Sequence, residues 1–313
     1  MDCQIMAATL LHLRSTKSAQ YLLTRILADA VDQRLLLPAA SELTSYSQHL
    51  NTTQQQYCVR TEVGDFFIKR LLADSLGIER FRAEQDCLLR IMETQSIVTA
   101  QPITCGVVDG HSYLILTHTP LAVHGDWLQA GCQIAKMHGH TSDKGYGFER
   151  TTFCGDTPQN NNWSHHWANF FSEQRIAPLL TQLEMRGDGI RGCERILARC
   201  QTRLLGHQPE ASLLHGDLWS GNIAFRPDNE SSRPIVCDPA CYYGDAETDL
   251  AMTELFGRFP EAFYKGYQSV RPIDDGYVMR RPVYQLYHVL NHAVLFGNHY
   301  MDQAREMMKG LAN

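Results

Sequence analysis

The sequence lacks any run of about 20 apolar residues, so no segment reads as a membrane-spanning helix. It also lacks a basic excess: Lys and Arg number 28 against 34 Asp and Glu, a formal net charge of −6. A surface that neutralises nucleic-acid phosphates needs the opposite balance, so no nucleic-acid partner is expected. Among ten cysteines there is no CxxC pair; Cys237 and Cys241 stand four apart, Cys193 and Cys200 seven apart. That spacing offers no zinc site and no disulfide framework, so the thiols read as reduced and mostly buried. The segment Met1–Arg14 carries an apolar run from Ile5 to Leu11, but Asp2 stands where a leader peptide has a basic residue. A cytoplasmic protein without membrane contact is expected.

What is present is ordinary for a globular chain. With 313 residues, 44% hydrophobic and 20% charged, it can bury a core without staples, and its length predicts two domains or one large one. Ser18–Val31 predicts a helix, and residues 41–63 two polar strands around a loop. Gly64-Asp65 predicts a hairpin turn, with Phe66–Lys69 as the strand that follows. Glu79–Thr94 predicts a helix with Phe81, Leu88, Leu89 and Met92 inward, and Ser112–Thr117 a buried strand. Beyond residue 120 helices dominate: Asp126–His138, Trp163–Leu183, Gly189–Leu205 and Asp245–Phe256. A last helix carries the stripe Val283, Leu286, Tyr287, Leu290 and Val294. The pattern predicts an α+β chain with a small antiparallel-sheet lobe over residues 1–120 and a larger, mainly helical lobe over 121–313.

One stretch interrupts the helices. Leu213-Leu214-His215-Gly216-Asp217-Leu218-Trp219-Ser220-Gly221-Asn222 is a polar loop flanked by apolar residues. Two short strands follow, near 223–226 and 234–237, joined by Pro227-Asp228-Asn229-Glu230, and the second ends at Asp238. Such a hairpin gathers Asp217, Asn222 and Asp238 at one end. Three oxygen-bearing side chains there suit Mg²⁺, which prefers hard oxygen ligands shared with phosphate.

The sequence His215-Gly216-Asp217, with Asn222 and then Asp238 after a short hairpin, resembles the catalytic core of the protein-kinase-like superfamily. It is nearest the branch of small-molecule kinases that includes aminoglycoside and choline kinases. HGDLWSGN followed by DPACYYGDAETDLAM and LFGRF is similar to the fructosamine kinase (ketosamine-3-kinase) family, as is Thr157-Pro158-Gln159-Asn160 through Trp163, Trp167, Phe170 and Phe171. The resemblance covers roughly residues 60–270.

The resemblance implies a two-lobed protein-kinase-like fold and transfer of the γ-phosphate of ATP to position 3 of a ketosamine sugar, a deglycation repair. Asp217 would be the catalytic base, and Asn222 and Asp238 the Mg²⁺ ligands. Lys69 would contact the α/β-phosphates and Glu84 would hold Lys69. Tyr113, Leu114, Leu116 and His118 would lie on the nucleotide side, the strand leading to a backbone that reads adenine. Trp219 and Gln159 would meet the acceptor, a small ketosamine or a glycated protein lysine. His215 and Asp249 would brace the loop. One departure stands out. Kinases cover the phosphates with a glycine-rich loop, yet this chain has no glycine before Gly64, and the corresponding segment is Tyr46–Gln56. Two alternatives follow: a kinase for an aminoglycoside-like or choline-like alcohol, and a nucleotide-binding scaffold without turnover.

Overall fold

The computed structural model describes residues 18–49, 54–74, 76–188, 192–227 and 232–312. It divides into two compact units, one running to Gln85 and including Ala100–Thr119, the other comprising Asp86–Thr99 and the chain from Pro120.

The first unit opens with α1, residues 18–32, and a 3-10 turn at Pro38–Ser41. Strands β1 (Leu43–His49), β2 (Gln55–Thr61) and β3 (Gly64–Leu72) follow, then helix α2 (Gly77–Glu93), whose residues from Asp86 on fall in the second unit. After β4 (Val98–Thr99), which belongs to the second unit, come β5 (Pro102–Val108) and β6 (His111–Thr117). The sheet is antiparallel, in the order β1-β2-β3-β6-β5. One face carries Tyr57, Val59, Phe66, Ile68, Tyr113 and Ile115 against Leu22, Leu23, Ile26, Leu27 and Ala30 of α1. The alternation of β2 and β3 and the helical period of α1 thus meet in one core. The hairpin turn is Glu62-Val63, not Gly64-Asp65, because Thr61 pairs directly with Gly64. Arg60 clamps the strand start through Asp65 at 2.9 Å.

Helix α2 buries Phe81, Ala83, Cys87, Leu88 and Ile91, whereas Leu89 is 41% exposed and Met92 only half-buried. The buried row runs through 81, 88 and 91, and one residue of advance turns Leu89 about 100° off that row.

In the second unit, β4 pairs in parallel with β11 (Arg233–Val236), and β11 pairs antiparallel with β10 (Ile223–Arg226). Strand β9 (Ser212–Leu213) pairs with β12 (Tyr243–Gly244), and β7 (Thr152–Cys154) forms a hairpin with β8 (Thr157–Gln159). The helices are α3 (Trp127–Met137), α4 (Trp167–Phe171), α5 (Ala177–Met185), α6 (Cys193–Leu204), α7 (Glu247–Thr253), α8 (Glu261–Val270), α9 (Tyr277–Phe296) and α10 (Asn298–Ala312). Helices α3 and α8 touch backbone to backbone. A Cβ on Gly131 would fall 1.9 Å from the Phe263 carbonyl oxygen, and one on Gly266 would fall 2.0 Å from that of Leu128. The stripe on α9 is buried throughout.

The expected helix from Trp163 to Leu183 is shorter and interrupted. Ser164 forms a β-bridge with Tyr146, so the helix starts at Trp167, and a π-helical stretch at Ser172–Ile176 separates α4 from α5. Trp163 fits the helical spacing by coincidence. The expected 245–256 helix is limited to α7, and Gly189 at the start of the expected 189–205 helix lies outside the described residues, as do Leu50 to Thr53 of the Tyr46–Gln56 segment and Asp228 to Glu230 of the hairpin turn. Among the described residues no helix is long and apolar enough to cross a membrane.

Candidate active site

In the second unit, the polar loop between β9 and β10 is built around one close approach. Gly216 sits at φ +83°, and a Cβ there would fall 2.1 Å from the Ala240 carbonyl oxygen. Only glycine satisfies both conditions. Ala240 N–H donates to the His215 carbonyl at 2.8 Å, so the loop is stitched to the segment that follows β11. Beneath it lies Asp249, fully buried on α7. Its carboxylate accepts from the backbone N–H of His215 at 2.7 Å and of Gly216 at 2.9 Å, and meets His138 Nε2 at 3.1 Å. Burial pushes the Asp249 carboxyl up, but the His138 hydrogen bond, the neighbouring imidazoles and the Gly216 amide hold it below the usual range. His215 Nε2 faces the Cys237 carbonyl at 3.0 Å, while Nδ1 accepts from Asp217 N–H at 3.3 Å. This arrangement fits a neutral ring, and burial lowers the His215 pKa.

This scaffold presents three oxygen-bearing side chains. Asn222 Nδ2 donates to Asp217 twice, to the backbone oxygen at 2.9 Å and to Oδ2 at 3.0 Å. Asn222 in turn accepts Cys237 N–H at 3.0 Å. The next residue is Asp238, whose backbone lies in the left-handed region at φ +53°. The hairpin therefore joins the three residues the sequence singled out. Burial, and next the negative charge of Asp238, push the Asp217 carboxyl up to about 7. A buried carboxylate raised further by the charge of a second one forms, with it, a site complementary to a cation. The donors are hard oxygens and fit magnesium.

Trp219 is 37% exposed and its ring lies against Gly221, where a Cβ would fall 2.4 Å from Cζ2. Gln159 is buried on β8, and neither end of its amide has a hydrogen-bond partner among the described residues. No hydrogen bond therefore joins the Gln159 side chain to Asp217. The thiol of Cys154, on the paired strand β7, does reach the Asp217 carboxylate. Neither Cys154 nor His138 is marked out by the local sequence pattern. Their roles depend on partners distant in the chain, so local spacing carries no trace of them.

In the first unit, Lys69 is 1% exposed and its ammonium forms an ion pair with Glu84 of α2. Glu79, on the same helix, pairs with Arg82 at the surface. Lys69 stands opposite Leu114 and Phe67 opposite Leu116 in the β3–β6 register, so Leu114 and Leu116 share the Lys69 face. Tyr113 does not. Its ring packs with α1 on the other face, and its hydroxyl donates to Asp29. Strand β6 stands between β3 and β5, so the backbone of Tyr113, Leu114 and Leu116 is engaged in the sheet and is not free to read a base. His118, past the strand, donates its N–H to the Asp65 carbonyl at 3.2 Å. Tyr113 is thus corrected to a core residue, because strand alternation carries it away from Lys69.

The chain matches the family model for fructosamine kinase over residues 37–313. It is 39% identical over 257 residues to a Synechocystis protein named "Probable ketoamine kinase", covering 82% of this chain and 85% of that one. A Vibrio cholerae protein of the same name is 36% identical over 264 residues, covering 83% and 90%. A solved Haemophilus somnus structure, assigned as a fructosamine-3-kinase, superposes with a TM-score of 0.81 at 29% identity over 87% of this chain and 92% of that one. An aminoglycoside phosphotransferase superposes with a TM-score of 0.59 at 13% identity, which identifies the shared protein-kinase-like fold alone.

Proposed function

This chain belongs to the fructosamine kinase family, and we propose that it transfers the γ-phosphoryl group of ATP to the position-3 hydroxyl of a ketosamine sugar, with Asp217 as the base. The observation that carries this reading is the Asp217, Asn222 and Asp238 arrangement, two carboxylates and an amide oriented by one hairpin. Asp217 orients the acceptor hydroxyl and takes its proton as the phosphoryl group arrives. Asn222 and Asp238 would hold Mg²⁺, which supplies positive charge against the triphosphate when bound. In the other unit, Lys69, fixed by Glu84, contacts the α- and β-phosphates. Leu114 and Leu116, on the Lys69 face, offer apolar contact to the nucleotide, and the backbone that reads adenine lies beyond the strand, at and after His118. Trp219 offers an exposed aromatic face to the sugar or its amine, and the unpartnered amide of Gln159 supports a polar contact with the acceptor. His215 and Asp249 keep the loop in shape.

A formed Lys69–Glu84 pair together with a cation-complementary carboxylate pair supports turnover over a silent nucleotide-binding scaffold. Both free ketosamines and glycated protein lysines fit this chemistry. An ATP-supplied, reducing cytoplasm suits the nine described cysteines, all free thiols. The test is an acceptor panel with labelled ATP: fructoselysine, glycated protein, an aminoglycoside and choline. Phosphorylation of either ketosamine, abolished by Asp217→Asn in a folded protein, supports the reading. Transfer only to the aminoglycoside or choline, or undiminished turnover in Asp217→Asn, refutes it.

A further inference from the structure

Beside the loop, three elements bring different donor atoms together. Cys154 comes from β7, Asp217 from the loop after β9, and His288 from α9; one donor atom of each lies within 4.8 Å of the other two. Cys154 and His288 are 2% and 3% exposed. Ring atom Nδ1 of His288 has no hydrogen-bond partner among the described residues. A buried imidazole nitrogen left unmatched marks a position built to meet something. Asn291, one turn along α9, ties that helix to β7 by donating Nδ2 to the Cys154 carbonyl at 3.1 Å, which keeps Cys154 and His288 in register.

We propose that Cys154, Asp217 and His288 form a zinc-binding site. The donor set is one sulfur, one imidazole nitrogen and one carboxylate oxygen, the mixture that suits Zn²⁺ and not Mg²⁺. Three atoms at most 4.8 Å apart share a point within about 2.8 Å of each, and zinc bonds of about 2.0–2.3 Å close that gap by under about 1 Å per donor. The ring is ready to ligate, since burial lowers the His288 pKa to about 3 and leaves it neutral. The thiol is not, since burial and the nearby Asp217 charge raise the Cys154 pKa. Binding therefore forms an S–Zn bond while the S–H bond gives its proton to solvent, with no change of oxidation state. The Arg175 guanidinium, stacked on Tyr242 at 4.0 Å, is the local positive charge that a dication must outweigh; Asp217, Asp238 and the thiolate supply the negative charge. Nothing in the cysteine spacing announced this site, because its ligands come from three separated segments.

The consequence for activity rests on the reading of Asp217 as the base: an ion that takes its carboxylate removes it from the acceptor hydroxyl. Full-length protein free of Mg²⁺ and nucleotide is titrated with Co²⁺ as a visible surrogate for zinc, then with Zn²⁺. One equivalent should produce the thiolate-to-cobalt absorption and release about one proton, and Zn²⁺ should displace the colour. In Cys154→Ser the thiolate absorption should vanish, and in His288→Gln binding should weaken about 10-fold or more. Circular dichroism checks that each variant is folded, and wild-type proton release gives a readout that needs no variant. No thiolate absorption in the wild type, absorption that persists in Cys154→Ser, or binding unaffected by His288→Gln overturns the site. In turnover assays, micromolar Zn²⁺ should inhibit in a manner that excess Mg²⁺ does not relieve. Cobalt colour at the site with turnover unimpaired by Zn²⁺ would leave the site standing and remove Asp217 from the role of base.

Discussion

The two units solve opposite electrostatic problems. In the first, Lys69 is buried but matched: its ammonium meets Glu84, and the pair is complete without a ligand. In the second, Asp217 and Asp238 are like charges held near one another, and burial together with the charge of Asp238 raises Asp217 to about 7. A buried pair is costly to break, whereas a buried repulsion is relieved by what binds. The first arrangement is a fixed fitting and the second a vacancy in charge, so substitutions in the two should differ in kind.

The largest effect expected is on chemistry. Asp217→Asn should lower kcat by about 10²–10⁴-fold, measured as ketosamine-dependent ADP release with the acceptor KM read alongside. Next comes the matched pair. Glu84→Gln leaves a buried ammonium without its counter-charge and should destabilise the fold by about 3 kcal/mol in urea unfolding. The double variant Lys69→Met/Glu84→Gln should recover part of that loss, and a strictly additive double would show that the two side chains are not coupled. Gly216→Ala, which forces a methyl group toward the Ala240 carbonyl, should cost about 2 kcal/mol and depress turnover with it.

The smallest effect concerns pH and sharpens the contrast most. An acid whose folded pKa lies above its unfolded value favours folding below the unfolded pKa, and that advantage is lost as pH rises through the folded value. Asp217, at about 7 in the fold, therefore opposes folding at pH 8. Asp217→Asn should raise the apo-protein Tm by about 2 °C at pH 8, with the gain vanishing near pH 4. Added Mg²⁺ should narrow the difference. An Asn variant less stable than wild type at pH 8 would show that the two carboxylates are not in conflict.

Much of this site was legible because its parts are close in sequence. Asp217, Asn222 and Asp238 fall within one loop and one hairpin, and hairpin geometry allows few ways to place them. Lys69 and Glu84 were legible as a strand and the helix after it, and the α9 stripe was legible from its period. Tyr113 was misplaced because its strand is apolar on both faces, and alternation alone does not say which face meets α1. Leu89 was misplaced because a helix rich in apolar residues leaves the direction of its buried row open. Trp163 obeyed helical spacing while the bridge of the next residue, Ser164, to Tyr146 kept that stretch out of the helix. His138, Cys154 and His288 gain their meaning from contacts across the fold, which no window of neighbouring residues records.

Asp249 gives the loop a particular endurance toward acid. Its folded pKa lies below the ordinary aspartate value, so the stability it contributes persists through mild acidification and is surrendered only as pH falls through that lowered value. The hydrogen bonds that tether His215 and Gly216 should therefore outlast many surface ion pairs as protons accumulate, and the loop should come apart late in an acid titration.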